Sequence, residues 1–111
     1  MAQNFRRYIE RNIGTSAVDV PDGSNFDSYD AIIGVHLANV TGSAVNVDVY
    51  IASSSNNYYL VKTAPIPAGG ALQIIDGGAK IVVQSGDRLY IQSDTASSID
   101  AWVSVVDAIS T

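Results

Sequence analysis

Between residues 31 and 52 the chain alternates with a two-residue period. Val45, Val47, Val49 and Ile51 are separated by Asn46, Asp48 and Tyr50. Successive side chains of a strand point to opposite faces, so this is a strand with one apolar and one wet face. Upstream, Ile33, Val35 and Leu37 keep the same period, and Thr41-Gly42-Ser43 supplies small residues where the chain must reverse. The stretch therefore predicts a central hairpin with a tight turn. A hairpin alone cannot bury its apolar face, so the flanking segments must supply an opposing layer.

Those segments read as further short strands. Ala17-Val18-Asp19-Val20 predicts a strand stopped by Pro21-Asp22-Gly23, and residues 24–30 a polar surface loop. Ser53-Ser54-Ser55-Asn56-Asn57 reads as a loop, and residues 58–63 return to strand character. Ala64-Pro65-Ile66-Pro67-Ala68-Gly69-Gly70 reads as a connection or sheet corner, because each proline removes a ladder donor. Strands follow at 71–75, 79–84 and 88–93, with tight reversals expected at Asp76-Gly77-Gly78 and Ser85-Gly86-Asp87. Ile99, Ala101, Val103 and Val105 alternate with Asp100, Trp102, Ser104 and Val106, a long last strand expected inside a sheet beside the central hairpin. Phe5, Tyr8, Ile9 and Ile13 fit neither period, which leaves a short helix or an extended arm.

Eight or so short strands with turn signals between them predict an all-β domain. The expected architecture is a two-sheet antiparallel β-sandwich, jelly-roll or immunoglobulin-like, with a small barrel as the alternative closure. It spans residues 15–111 and carries an N-terminal arm at 1–14.

Composition narrows the partners. A chain of 111 residues is one domain with enough surface to bury a real core. Without cysteine it has neither disulfides nor thiolate metal ligands. No apolar run approaches the roughly 18 residues of a spanning helix, and MAQNFRRYIERN lacks the apolar centre of a signal peptide. The expectation is a chain that does not enter a membrane and stays where it is made. The net charge of −5 hides an asymmetry: Arg6, Arg7 and Arg11 against Glu10 leave the first eleven residues at +2, and the remainder at −7. An acidic body repels nucleic acid, whereas a basic arm on it suits an identical neighbour.

Catalytic signals are weak. His36 is the single histidine and no nucleophile motif accompanies it, so a structural or interface role is expected and no enzyme. Asp22, Ser24, Asn25, Asp27 and Asp30 form an oxygen-rich loop, but their spacing misses the calcium-loop pattern; no metal and no cofactor are expected. Asp76-Gly77-Gly78-Ala79-Lys80 reads as a turn and not a phosphate cradle, and the Asn39-Val40-Thr41 glycosylation acceptor lacks a secretory context. Of the aromatics Tyr50, Tyr58, Tyr59, Tyr90 and Trp102, four (Tyr50, Tyr58, Tyr59 and Trp102) form the candidate exposed surface, suited to a protein or a sugar.

Nearly the whole chain resembles a group of small structural proteins of tailed bacteriophages of marine and cyanobacterial hosts. The resemblance runs from NFRRYIERNIGTSA through IIGVHLANVTGSAVNVDVYI, YYLVKTAPIPAGG and SGDRLYIQSD to SSIDAWVSVVDAI. It implies a non-enzymatic virion component, made in the host cytoplasm, that forms symmetric homo-oligomers on the capsid or in the neck or tail. Its partners would be copies of itself and other virion proteins. In that setting Phe5, Arg6, Arg7, Tyr8 and Arg11 are the candidate subunit interface, apolar anchors beside guanidinium groups that pair with carboxylates. The alternative is a module on a tail appendage that binds a host-surface glycan or receptor.

Overall fold

The computed structural model describes residues 4–20, 31–75, 81–83 and 86–107. They form nine strands: β1 (Asn4–Ile13), β2 (Val18–Val20), β3 (Ala31–Asn39), β4 (Val45–Ser53), β5 (Asn56–Ile66), β6 (Ala71–Ile75), β7 (Ile81–Val82), β8 (Arg88–Ser93) and β9 (Ile99–Asp107). One sheet has the order β1-β9-β3-β6, with β7 also on β3, and the other β2-β8-β4-β5. Every pairing is antiparallel. The two sheets pack face to face as the expected β-sandwich.

Along β3, Ala38 meets Ala71, Val35 meets Ile75, Ile32 meets Ile81 and Ala31 meets Val82. β6 and β7 are thus two pieces of one strand running the same way, and the reversal expected at Asp76-Gly77-Gly78 does not occur. Residues 76–80 themselves lie outside the described part. With β6 and β7 counted as one, the pairs are β4 with β5, β3 with β6/β7, β2 with β8 and β1 with β9, each nested inside the next. That is the jelly roll, which settles the choice against an immunoglobulin-like sandwich or a barrel.

The nesting moves the central hairpin. β3 and β4 are strands, as their alternation predicts, but they lie in different sheets. Val35 and Leu37 of β3 and Val45, Val47 and Val49 of β4 are all buried, facing one core from opposite sides. The true hairpin is β4–β5, where Ser53 pairs with Asn56 and only Ser54 and Ser55 turn the chain. Their φ values of 51° and 71° are those of a type I′ turn, whose twist suits a two-residue hairpin. The polar run expected as a loop is mostly strand. Pro65 falls on β5, an edge strand where its missing N–H costs no ladder bond; the corner is confined to residues 67–70, with Gly69 at φ +66°. β7 and β8 lie in different sheets, so they form no hairpin across the second expected reversal, Ser85-Gly86-Asp87, of which Ser85 lies outside the described residues.

The connections β1–β2, β3–β4, β5–β6 and β8–β9 meet at one end and are tied together by backbone bonds. Val40 N donates to Ser98 O, Asn39 N to Gly70 O, Ser93 N to Gly14 O and Ser98 N to Ile13 O, at 2.9, 2.9, 2.9 and 3.0 Å. Asn39, buried at 2 % exposure, is the pin of this end. Its Nδ2 donates to Ser43 O (2.8 Å), Ile66 O (3.0 Å) and Pro67 O (3.1 Å), and its Oδ1 accepts from Thr41 N (2.9 Å) and Thr41 Oγ1 (2.7 Å). Since that amide is spent inside the fold, Asn39 offers no glycosylation acceptor in the folded chain.

Candidate functional site

The segment expected as an arm is, over residues 4–13, the edge strand β1, paired with β9 from Asn4 opposite Asp107 to Ile13 opposite Ile99. Strand alternation then divides the five residues expected to act together. Tyr8 lies opposite buried Val103 and packs against the core of its own chain. Arg7 lies opposite Ser104 on the outer face, exposed, with its guanidinium 5.4 Å from the centre of the Trp102 ring. Arg6 and Arg11 are exposed as well, and Phe5 is placed by its pairing with Val106.

Trp102 is half exposed because it alternates with Ala101 and Val103, which β9 buries. Ile9 of β1 flanks it on one side and His36 of β3 on the other. His36 is exposed, with Nδ1 3.0 Å from Gln73 Oε1 of β6. The row Ile9, Trp102, His36, Gln73 thus crosses all four strand positions of the first sheet. Beside it, a shallow depression of about 380 Å³ is lined by Ile9, Glu10, Arg11, Asp100, Ala101 and Trp102. Asp100 Oδ1 accepts from Asn12 N at the β1 bulge, where Asn12 sits at φ 56°.

The second sheet carries a different row. Tyr90, Tyr50 and Tyr59 are neighbours on β8, β4 and β5. The Tyr50 ring centre lies 5.3 Å from that of Tyr90, stacked, and 5.0 Å from that of Tyr59, tilted. Lys62 Nζ lies 4.5 Å from the centre of the Tyr59 ring. Burial pushes the Tyr50 hydroxyl above its ordinary pKa, and the nearby Tyr59, Tyr90 and Asp48 push in the same direction. Asp19 of β2 stands next to Tyr90 and bridges Arg88 at 3.1 Å. Asp48 Oδ1 accepts from Thr63 N at 2.7 Å, which holds the β5 bulge. At the end of this face Asp94 accepts from Asn46 N and from the Thr95 hydroxyl, and these bonds keep its carboxyl below the usual range.

The four aromatics expected as one surface therefore occupy three places. Trp102 is on the first sheet, and Tyr50 and Tyr59 are on the second. Tyr58, the most exposed at 59 %, pairs with Ile51 and so points to the opposite face of β5 from Tyr59. Tyr90 belongs to the row although its strand alone does not reveal it; only the register of β8 on β4 places it on Tyr50. No group of three or more His, Cys, Asp or Glu capable of holding a metal occurs among the described residues. The oxygen-rich loop at Asp22, Ser24, Asn25, Asp27 and Asp30 and the turn at residues 76–80 lie outside them.

A sandwich with two different outer faces is thus the class this chain defines. No family model and no curated protein matches it. Among solved structures it is similar to a chain of Bacillus endospore appendages, described as a novel family of disulfide-linked pili. The TM-score is 0.58 at 14 % identity, over 98 % of this chain and 88 % of that one. At that identity the likeness is one of fold.

Proposed function

We propose that this chain is a non-enzymatic structural subunit that assembles with copies of itself into a repeating particle. The observation that carries the reading is the pair of outer-face rows, exposed Ile9 and Trp102 with Arg7 on one sheet, and half-buried Tyr90 and Tyr50 with exposed Tyr59 on the other. Large rigid rings with polar tips on both faces of a small domain favour protein partners. The jelly roll serves in viral capsids, and a chain of the same fold belongs to a pilus. The disulfide linkage described for those pili is not available here, since the sequence has no cysteine, so assembly rests on non-covalent area and repetition. Against catalysis stands His36, which is exposed on an open sheet face beside an amide side chain and not beside a hydroxyl nucleophile.

The finer reading is a tailed-phage virion, with the subunit decorating or cementing the capsid or forming part of the neck or tail, after synthesis in the host cytoplasm. It rests on the resemblance of the FRRY, YYLVK-x-APIPAGG and SGDRLYIQSD segments. Light scattering coupled to size exclusion, at several protein concentrations and at low and high salt, tests self-assembly. Defined oligomers or polymers are expected, and a monomer under all conditions would refute the reading. A second reading, glycan binding, is favoured by the depression where Trp102 stands beside Glu10, Arg11 and Asp100. Quenching or shift of the single tryptophan's fluorescence across a glycan panel decides it.

A further inference from the structure

The two outer faces differ in charge as well as in their rings. On the first, Arg7 and Arg11 stand around Trp102 with Asp100 and Glu10 as the opposing charges. On the second, Asp48 and Asp94 add to the Asp19–Arg88 pair, and Lys62 lies over Tyr59 at the β5 edge. Cations and carboxylates balance on the first face, whereas the second is net anionic among the described residues. Two tyrosine faces repel each other, whereas the Trp102 face offers that carboxylate-bearing face its guanidinium groups, so a contact between copies is directed front to back. We propose that the Trp102 face of one copy docks on the tyrosine face of the next, guanidinium groups of Arg7 and Arg11 meeting Asp48 and the tyrosine hydroxyls. This rests on the self-assembly proposed above.

Area is sufficient. The molecule measures 46 × 28 × 21 Å, and a face 28 Å wide covered along strands of roughly 30 Å offers on the order of 800 Å² per partner, the size of a standard specific interface. A tryptophan exposed at 50 % beside an isoleucine at 47 % supplies the desolvated centre, and arginines at the rim make the contact salt-sensitive. Because each copy uses two different patches, the contact is heterologous. It leaves a free face at each end and grows into an open stack or closes as a ring.

Complementation tests this. R11E/W102A disables the first face, and D48N/Y59A the second while retaining the acceptor that Thr63 N needs. With folding verified by circular dichroism, each variant alone is expected at monomer mass where the unaltered chain assembles. An equimolar mixture is expected at twice the monomer mass and no higher, because one good face of each kind remains. Assembly of either variant like the unaltered chain, or a mixture that stays monomeric, would overturn the docking geometry while leaving self-assembly intact. A monomeric unaltered chain would overturn both.

Discussion

Asn39→Ala removes the side chain that pins the closed end of the sandwich. Of the five polar contacts made by Asn39, two have substitutes. Ser43 O still accepts from Thr41 Oγ1 at 2.9 Å and Pro67 O from Gly70 N at 2.9 Å. Ile66 O loses the Asn39 donor and Thr41 N loses its acceptor. A buried polar group deprived of a partner costs about 1–3 kcal/mol, and Thr41 is only partly buried, so the sum is about 2–4 kcal/mol. For a domain of this size that lowers Tm by roughly 8–16 °C, at about 4 °C per kcal/mol. Asn39→Asp separates donor from volume: it retains the oxygen for Thr41 but turns a second oxygen toward three carbonyls. At neutral pH it is expected to be less stable than Asn39→Ala, and protonation at low pH restores part of the difference. Urea unfolding at pH 7 and pH 4, with m compared across variants, measures both. An Asn39→Ala loss below about 0.5 kcal/mol, or an Asn39→Asp variant as stable as the parent, would refute the pin.

Gly14→Ala brings a Cβ to 3.2 Å from Ala96 Cα and Ser97 N, backbone atoms that cannot swing aside, and a loss of about 1–3 kcal/mol is expected in the same unfolding assay. Replacing Ser54-Ser55 with Asn-Gly suits the positive φ of both residues and is expected to raise stability by about 0.5–1 kcal/mol; an unchanged midpoint would count against the type I′ assignment. The raised pKa of Tyr50 predicts that its tyrosinate forms above the ordinary tyrosine range. A folded pKa above the unfolded one means stability present below pH 10 and lost as the pH rises toward the folded value. Tyr59→Phe with Tyr90→Phe removes two of the charges that raise it, so the Tyr50 tyrosinate is expected at lower pH by ultraviolet titration. The lowered Asp94 carboxyl has the opposite sign: its contribution is present above the ordinary carboxylate range and lost as pH falls through its folded value, and Asp94→Asn is expected to flatten the acid limb of a melting-temperature profile.

Two-residue alternation made the strands legible. Val45, Val47, Val49 and Ile51, and Ile99, Ala101, Val103 and Val105, are buried in the phase their spacing predicts, and the 71–75 and 88–93 strands fall where they were read. Pairing was legible only in part: the last strand lies inside a sheet against β3 as expected, but alternation reports which side of a strand faces a core and not which strand lies beside it. The Thr41-Gly42-Ser43 turn looks like a hairpin by composition; what makes it a crossing between sheets is Asn39, whose partners at Ile66 and Pro67 are distant in sequence. Conversely, Ser54-Ser55 lacks the Asn-Gly signature, and the polar run around it hid the β4–β5 hairpin. The tripartite tyrosine row shows the same limit: Tyr50 and Tyr59 read as exposed aromatics, but their stacking with Tyr90 depends on register across three strands.

The nesting of the pairs bears on how the surface is held. β4 and β5 join through two residues, whereas β1 and β9 bring Asn4 to Asp107, so loop-closure entropy grows from the inside pair outward. Among the described residues β1 pairs with one strand, β9. The strand that presents Arg7, Ile9 and Arg11 is therefore the one whose docking closes the longest loop. Its inward anchors are Tyr8, packed on the core, and Ile13, buried beside Ile99 at the bonded end. A contact on the Trp102 face spans both β1 and β9, so it clamps this outermost pair across its full register. Assembly and folding are thereby coupled: a neighbour that binds the Trp102 face only when β1 is docked adds its binding free energy to the pairing that closes the longest loop.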